Sequence, residues 1–105
     1  MKNVALTEAV YYMLLSLIKP MHGYGIMQNV EELSGGRVRL AAGTLYGAIT
    51  TLLEKGWIES VDAEDASRKK EYQITSLGRT ALLDEIERLR ELYENGCRIT
   101  QEDAQ

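Results

Sequence analysis

The stretch TLYGAITTLLEKG, Thr44 to Gly56, decides how the chain is read. At helical spacing Leu45, Ala48, Ile49, Leu52 and Leu53 fall on one side, the i, i+3, i+4, i+7 pattern of a buried apolar stripe. The other side carries Tyr46, Gly47, Thr50 and Thr51, where a solvent face would ordinarily hold Glu, Lys, Arg or Gln. Glycine there costs a helix about 1 kcal/mol relative to alanine. Two readings of this face are open: Gly47 and the threonines pack against a neighbouring helix or have simply drifted, or the face is kept low for a partner.

The flanking sequence supplies the architecture. Thr7 caps a predicted first helix that runs to about Lys19, with Val10, Leu14, Leu17 and Ile18 on one side, and Pro20 ends it. His22-Gly23-Tyr24-Gly25 turns the chain into a second helix, Tyr24 to Leu33, striped by Ile26, Val30 and Leu33 and stopped by Gly35-Gly36. Arg37 to Leu40 is a short alternating stretch that predicts a β-bridge, and the third helix starts around Gly43 or Thr44 and closes at Gly56. Trp57 to Val61 and Lys70 to Thr75 read as two antiparallel strands, joined by the polar loop Asp62 to Lys70. One long helix, Ser76 to about Asn95, closes at Gly96 and leaves a frayed tail.

Three helices followed by a two-stranded ribbon predict a mainly α fold with a small antiparallel β wing: a winged helix-turn-helix over residues 1–75, a dimerisation helix over 76–96 and a flexible tail over 97–105. A two-stranded ribbon is marginal alone, so Ile58, Tyr72 and Ile74 are expected to face the helices. In such a module the third helix enters the major groove of DNA, and short side chains become an asset there. Gly47 lets the backbone approach, Thr50 and Thr51 reach base edges, Tyr46 reaches a base or phosphate, and Thr44 at the helix start bonds a phosphate. Arg68, Lys69 and Lys70 form the basic part of the wing, and Arg37 and Arg39 are candidates for further phosphate contacts.

Charge tempers this expectation. The net charge is −4, against the basic footprint that a phosphate partner asks for. From Ser76 onward there are 4 Arg against 7 acids, so the first 75 residues are nearly neutral. Three positive and three negative side chains share the loop from Asp62 to Lys70, which predicts modest affinity and a limited salt slope. Doubling the site would restore affinity. Leu82, Ile86, Leu89 and Tyr93, spaced 4, 3, 4, form the seam of a coiled coil on the last helix, although folding back on its own domain is the competing fate.

Taken together, LTEAVYYMLLSLIKPMHGYGIMQNVEEL, GTLYGAITTLLEKGWIE and SRKKEYQITSLGR closely resemble the PadR-like transcriptional regulators over about Leu6 to Tyr93. The resemblance implies a homodimeric winged-helix repressor that leaves a pseudo-palindromic operator when a small aromatic or amphipathic effector binds. It also implies that Tyr24 joins Thr44, Tyr46, Gly47 and Thr50 at the DNA, with Arg68 and Lys69 in the wing. Two departures from the family pattern, Thr51 and the pair Glu71 and Gln73 where relatives are more basic, bear on the phosphate contacts.

Other chemistry is set aside. One His and one Cys, 75 residues apart, give no nucleophile, base or metal set, so neither an enzyme nor a cofactor is expected. His22 reads as a turn or helix-start residue. The charge-free apolar run Ala9 to Ile18 is half a membrane span, no secretory leader is expected, and Cys97 as a free thiol fits the cytoplasm. Tyr11, Tyr12 and Tyr93 are candidates for an interfacial effector pocket. The rival functions are a winged-helix adaptor for another protein and a ligand-carrying dimer with no operator.

Overall fold

The computed structural model describes residues 5–61 and 70–104. Helix α1 (Glu8–Ser16) starts under Thr7, whose hydroxyl accepts from the Val10 N–H at 3.2 Å. It ends at Ser16 rather than Lys19, because the Leu17 N–H tightens onto the Met13 and Leu14 carbonyls and closes the last turn ahead of Pro20. Strand β1 (Met21–His22) follows, and helix α2 (Gly23–Leu33) is capped by His22, whose Nδ1 accepts from the Gly25 N–H at 3.1 Å.

Ile26 and Val30 of α2 enter the core, but Leu33 is exposed. Its expected place past the last turn is taken by buried Ser34, whose hydroxyl accepts from the Val38 N–H and donates to the Glu31 carbonyl. Gly35 and Gly36, at φ +64° and +83°, reverse the chain. The segment Arg37 to Leu40 then passes without strand pairing, so the predicted bridge is absent; Ser34 holds that turn from within. Helix α3 (Ala42–Glu54) begins slightly earlier than expected and leads through Gly56, at φ +75°, into strand β2 (Ile58–Val61).

Strand β3 (Glu71–Ile74) pairs antiparallel with β2, Ile58 opposite Ile74 and Val61 opposite Glu71. It also pairs with β1, Met21 opposite Tyr72, so the wing is a three-stranded sheet in the order β1-β3-β2. The two-stranded expectation missed β1 because two residues carry no alternation of their own. Its partner defines it. Ile58, Tyr72 and Ile74 are buried as predicted, and the Ile74 N–H donates to the Leu17 carbonyl, fastening the sheet to the end of α1.

Helix α4 (Ser76–Ala104) is anchored at its base. The Thr75 hydroxyl donates to the Gly56 carbonyl at 2.6 Å and accepts from the Gly78 N–H, while a Cβ at Gly78 would collide with the Trp57 carbonyl. Ala81 and Leu82 then join Met13, Leu14, Leu17, Ile26, Val30, Leu45, Ile49 and Leu52 in one core. The helix continues unbroken through Gly96, where a stop was expected: that residue keeps a negative φ and simply extends the spiral. The predicted tail from Cys97 is therefore helical as far as Ala104. A radius of gyration of 16.1 Å, against about 13 Å for a compact domain of this length, reflects the projecting half of α4.

Candidate nucleic-acid interface

The apolar stripe of α3 buries Leu45, Ile49 and Leu52, whereas Leu53, placed on the same stripe by spacing, lies exposed at its margin. Gly43, Gly47 and Thr50 therefore point away from the core. A Cβ built at Gly43 or Gly47 meets nothing within 4 Å, which excludes the reading in which Gly47 packs on a neighbouring helix. Both glycines weaken the helix without making room for any side chain of the described residues. Thr50 and Thr51 donate their hydroxyl protons to the Tyr46 and Gly47 carbonyls at 3.0 and 3.2 Å. What they offer outward is a methyl group and oxygen lone pairs. At the start of the helix Ala41 supplies no side-chain acceptor, so the first-turn N–H groups near exposed Thr44 keep their positive end free of a cap.

Beside this face Tyr24 is 60% and Tyr46 51% exposed. The Tyr46 hydroxyl lies over Gly23, 2.5 Å from where a Cβ would stand, so glycine at the head of α2 lets α3 approach. Between the two helices and β3 opens a cleft of about 340 Å³ lined by His22, Gly23, Tyr24, Tyr46, Lys70 and Tyr72. For two of these, His22 and Tyr72, the sequence signals only a helix-start residue and a core residue. Both assignments hold, yet each side chain also reaches the cleft, a double duty for which no spacing rule gives a signal.

Arg37 and Arg39 depart from expectation. Arg37 grips the Glu8 carboxylate with Nε and Nη2 at 2.8 and 2.9 Å, and Arg39 Nε meets Glu31 at 2.9 Å. The hydrogen bonds from Arg37 hold the Glu8 carboxyl below the usual range and push the guanidinium up in turn. Both cations are thus already matched by acids, and a phosphate would have to take them by exchange. Arg68 and Lys69 lie outside the described residues, while Lys70 is exposed at the wing end of β3.

On α4 the expected seam divides. Leu82 is spent in the protomer's own core, a correction that follows from the docking of the helix base at Gly78. Ile86, Leu89 and Tyr93 remain exposed, joined by Leu92 and Ile99. Below them Glu85 is only 5% exposed. It receives Arg88 in two hydrogen bonds of 2.7 and 2.6 Å together with the Leu6 N–H, and the Arg88 contact lowers its pKa against the opposing pull of burial. Tyr11 and Tyr12 touch at 5.7 Å between ring centres; among the described residues Tyr93, on the projecting half of α4, makes no ring contact with them. Among the described residues no group of His, Cys, Asp and Glu is placed to hold a metal ion, and no helix is long and apolar enough to cross a membrane.

The fold recurs among known proteins. Protein X of Lysinibacillus sphaericus, itself uncharacterized, is 32% identical over 82 residues, 76% of this chain and 75% of that one. RosR of H. salinarum superposes with a TM-score of 0.67 at 27% identity, covering 94% of each chain. The fold is shared as well with Bacillus subtilis PadR in complex with operator DNA, at a TM-score of 0.61 and 22% identity over 77% of this chain and 48% of that one. The model of the PadR-like transcriptional regulator family matches residues 13–84. The chain therefore belongs to the PadR-like family, whose members are transcriptional regulators rather than enzymes.

Proposed function

We propose that this chain is a homodimeric, sequence-specific DNA-binding repressor acting in the cytoplasm, with residues 1–75 as the DNA-binding unit and α4 as the dimerisation element. The observation that carries it is the open outward face of α3. Gly43 and Gly47 cost helix stability, and a side chain at either would meet nothing within 4 Å among the described residues, which is what a backbone meant to lie close to another surface requires. Thr44, Thr50 and Thr51 supply short polar contacts on that face, Tyr24 and Tyr46 flank it, and Arg68, Lys69 and Lys70 carry the wing's positive charge towards the backbone.

Ile86, Leu89 and Tyr93, extended by Leu92 and Ile99, give α4 an apolar surface that a second copy would cover. Two-fold pairing would present two α3 helices to half-sites about one helical turn apart. Release by a small aromatic or amphipathic effector, seated near Tyr11, Tyr12 and the partner's α4, completes the proposal.

The test is a salt series of binding to DNA upstream of the protein's own gene, read by fluorescence anisotropy with a shuffled duplex as control. A dimer that protects a pseudo-palindrome and lets go as salt rises is the expected result. Equal, weak binding to both duplexes would overturn it and favour a protein-binding adaptor.

A further inference from the structure

The cleft between α2, α3 and β3 is built unlike the rest of the surface. Tyr72 is only 7% exposed, yet its hydroxyl has no hydrogen-bond partner among the described residues. Among those residues no fully enclosed side-chain oxygen or nitrogen goes unsatisfied, so this hydroxyl must open onto the cleft that the residue lines. The ring is held in place by burial while the hydroxyl stays open at the cleft, so it is a positioned donor with no protein partner to give up when a ligand arrives.

The other walls match one kind of partner. His22 accepts the Gly25 N–H on Nδ1, which leaves its remaining ring proton on Nε2 as a donor. Tyr24 and Tyr46 add phenol hydroxyls, Lys70 adds an ammonium, and the head of α2 adds the positive end of a helix dipole. Among the described residues no carboxylate lines the cleft. A set of donors and one cation asks for a compact oxyanion, and the cleft adjoins the outward face of α3.

We propose that this cleft seats one phosphodiester of the DNA backbone, with the Tyr72 hydroxyl as the donor on its floor and Lys70 as the cation at its rim. The inference rests on DNA being the partner of α3, and it assigns His22 and Tyr72 a binding role beyond capping and packing. Because a phosphate contact carries no sequence information, it acts on any duplex.

The experiment uses the full chain and a labelled 30-base-pair duplex of mixed sequence at low salt. Tyr72→Phe keeps the buried ring and removes only the hydroxyl; its thermal midpoint is checked first. It is expected to weaken binding about tenfold with the salt slope intact, since a neutral donor releases no counterion. Lys70→Gln is expected to lower the slope by about one per protomer. The double variant should lose less than the product of the single losses, because both groups hold the same phosphate.

Unchanged affinity in Tyr72→Phe, or strictly multiplicative losses, would overturn the assignment. A second arm titrates inorganic phosphate and follows the His22 ring by NMR. Competition between phosphate and duplex supports the proposal. Phosphate binding that leaves duplex affinity untouched would make the cleft a site for a free phosphate ligand and overturn it. Absence of any duplex binding by the unaltered protein is a separate result, which would remove the DNA reading itself.

Discussion

The outward faces of α3 and α4 are both left uncovered by the fold, and they are composed oppositely. That of α3 is low and polar, with Gly43, Gly47, Thr50 and Thr51. That of α4 is tall and apolar, with Ile86, Leu89, Leu92, Tyr93 and Ile99. A surface that removes water from large side chains gains free energy from area, roughly 25 cal/mol per Å², and suits a protein partner. One that gives up side-chain bulk gains only proximity, which suits a partner whose own shape is a groove. The contrast suggests two different partners for two neighbouring helices.

The sharpest way to break this comparison is through glycine. Gly78→Ala drives a methyl group into the Trp57 carbonyl and is expected to destabilise the protein by about 3 kcal/mol in chemical denaturation. Its counterpart Gly47→Ala should have the opposite sign. If both prove destabilising, α3's open face is serving the fold after all. On α4, Leu89→Asp places a charge on the apolar face without touching the core, and self-association measured by sedimentation equilibrium should weaken at least about a hundredfold, close to 3 kcal/mol. Retained association would locate any dimer elsewhere.

Much of the fold was legible because it rests on period and punctuation. The stripes of α1 and α3, the cap at Thr7, and the alternation that turns Tyr72 and Ile74 inward are all local signals. What was not legible depends on neighbours. Strand β1 exists only because β3 lies beside it, and Leu82 looks like the rest of the seam until Gly78 brings its turn down onto Trp57. Gly96 has the look of a stop, but glycine permits a helix to end without compelling it. In the candidate interface, residue type was readable while partnership was not: nothing local to Arg37 announces Glu8, 29 residues earlier in the chain.

Two finer predictions refine the contrast. Glu85 has a pKa lowered from the usual 4.5 by Arg88, so its contribution is complete at neutral pH and is lost as pH falls through the lower folded-state value. Glu85→Gln should therefore cost about 1–2 kcal/mol at pH 7 and flatten the acid limb of a stability–pH curve below about pH 5. An unchanged acid limb would mean that the buried pair does not tie the N-terminal segment to α4. The smallest effect is expected from Gly47→Ala, a gain of about 0.5–1 kcal/mol in stability, accompanied by a loss of duplex affinity of about tenfold in anisotropy.

The unbroken run of α4 also has a mechanical consequence. Twenty-nine residues at 1.5 Å each make a rod of about 43 Å, clamped at its base as far as buried Glu85, so that about 28 Å of it stands clear of the core as a lever. A tilt of about 5° in the winged unit carries the tip through about 2.5 Å relative to that clamp. The gearing runs the other way as well: whatever grips the distal half of the rod converts an ångström-scale slip at the tip into a rotation of the winged unit by only a degree or two.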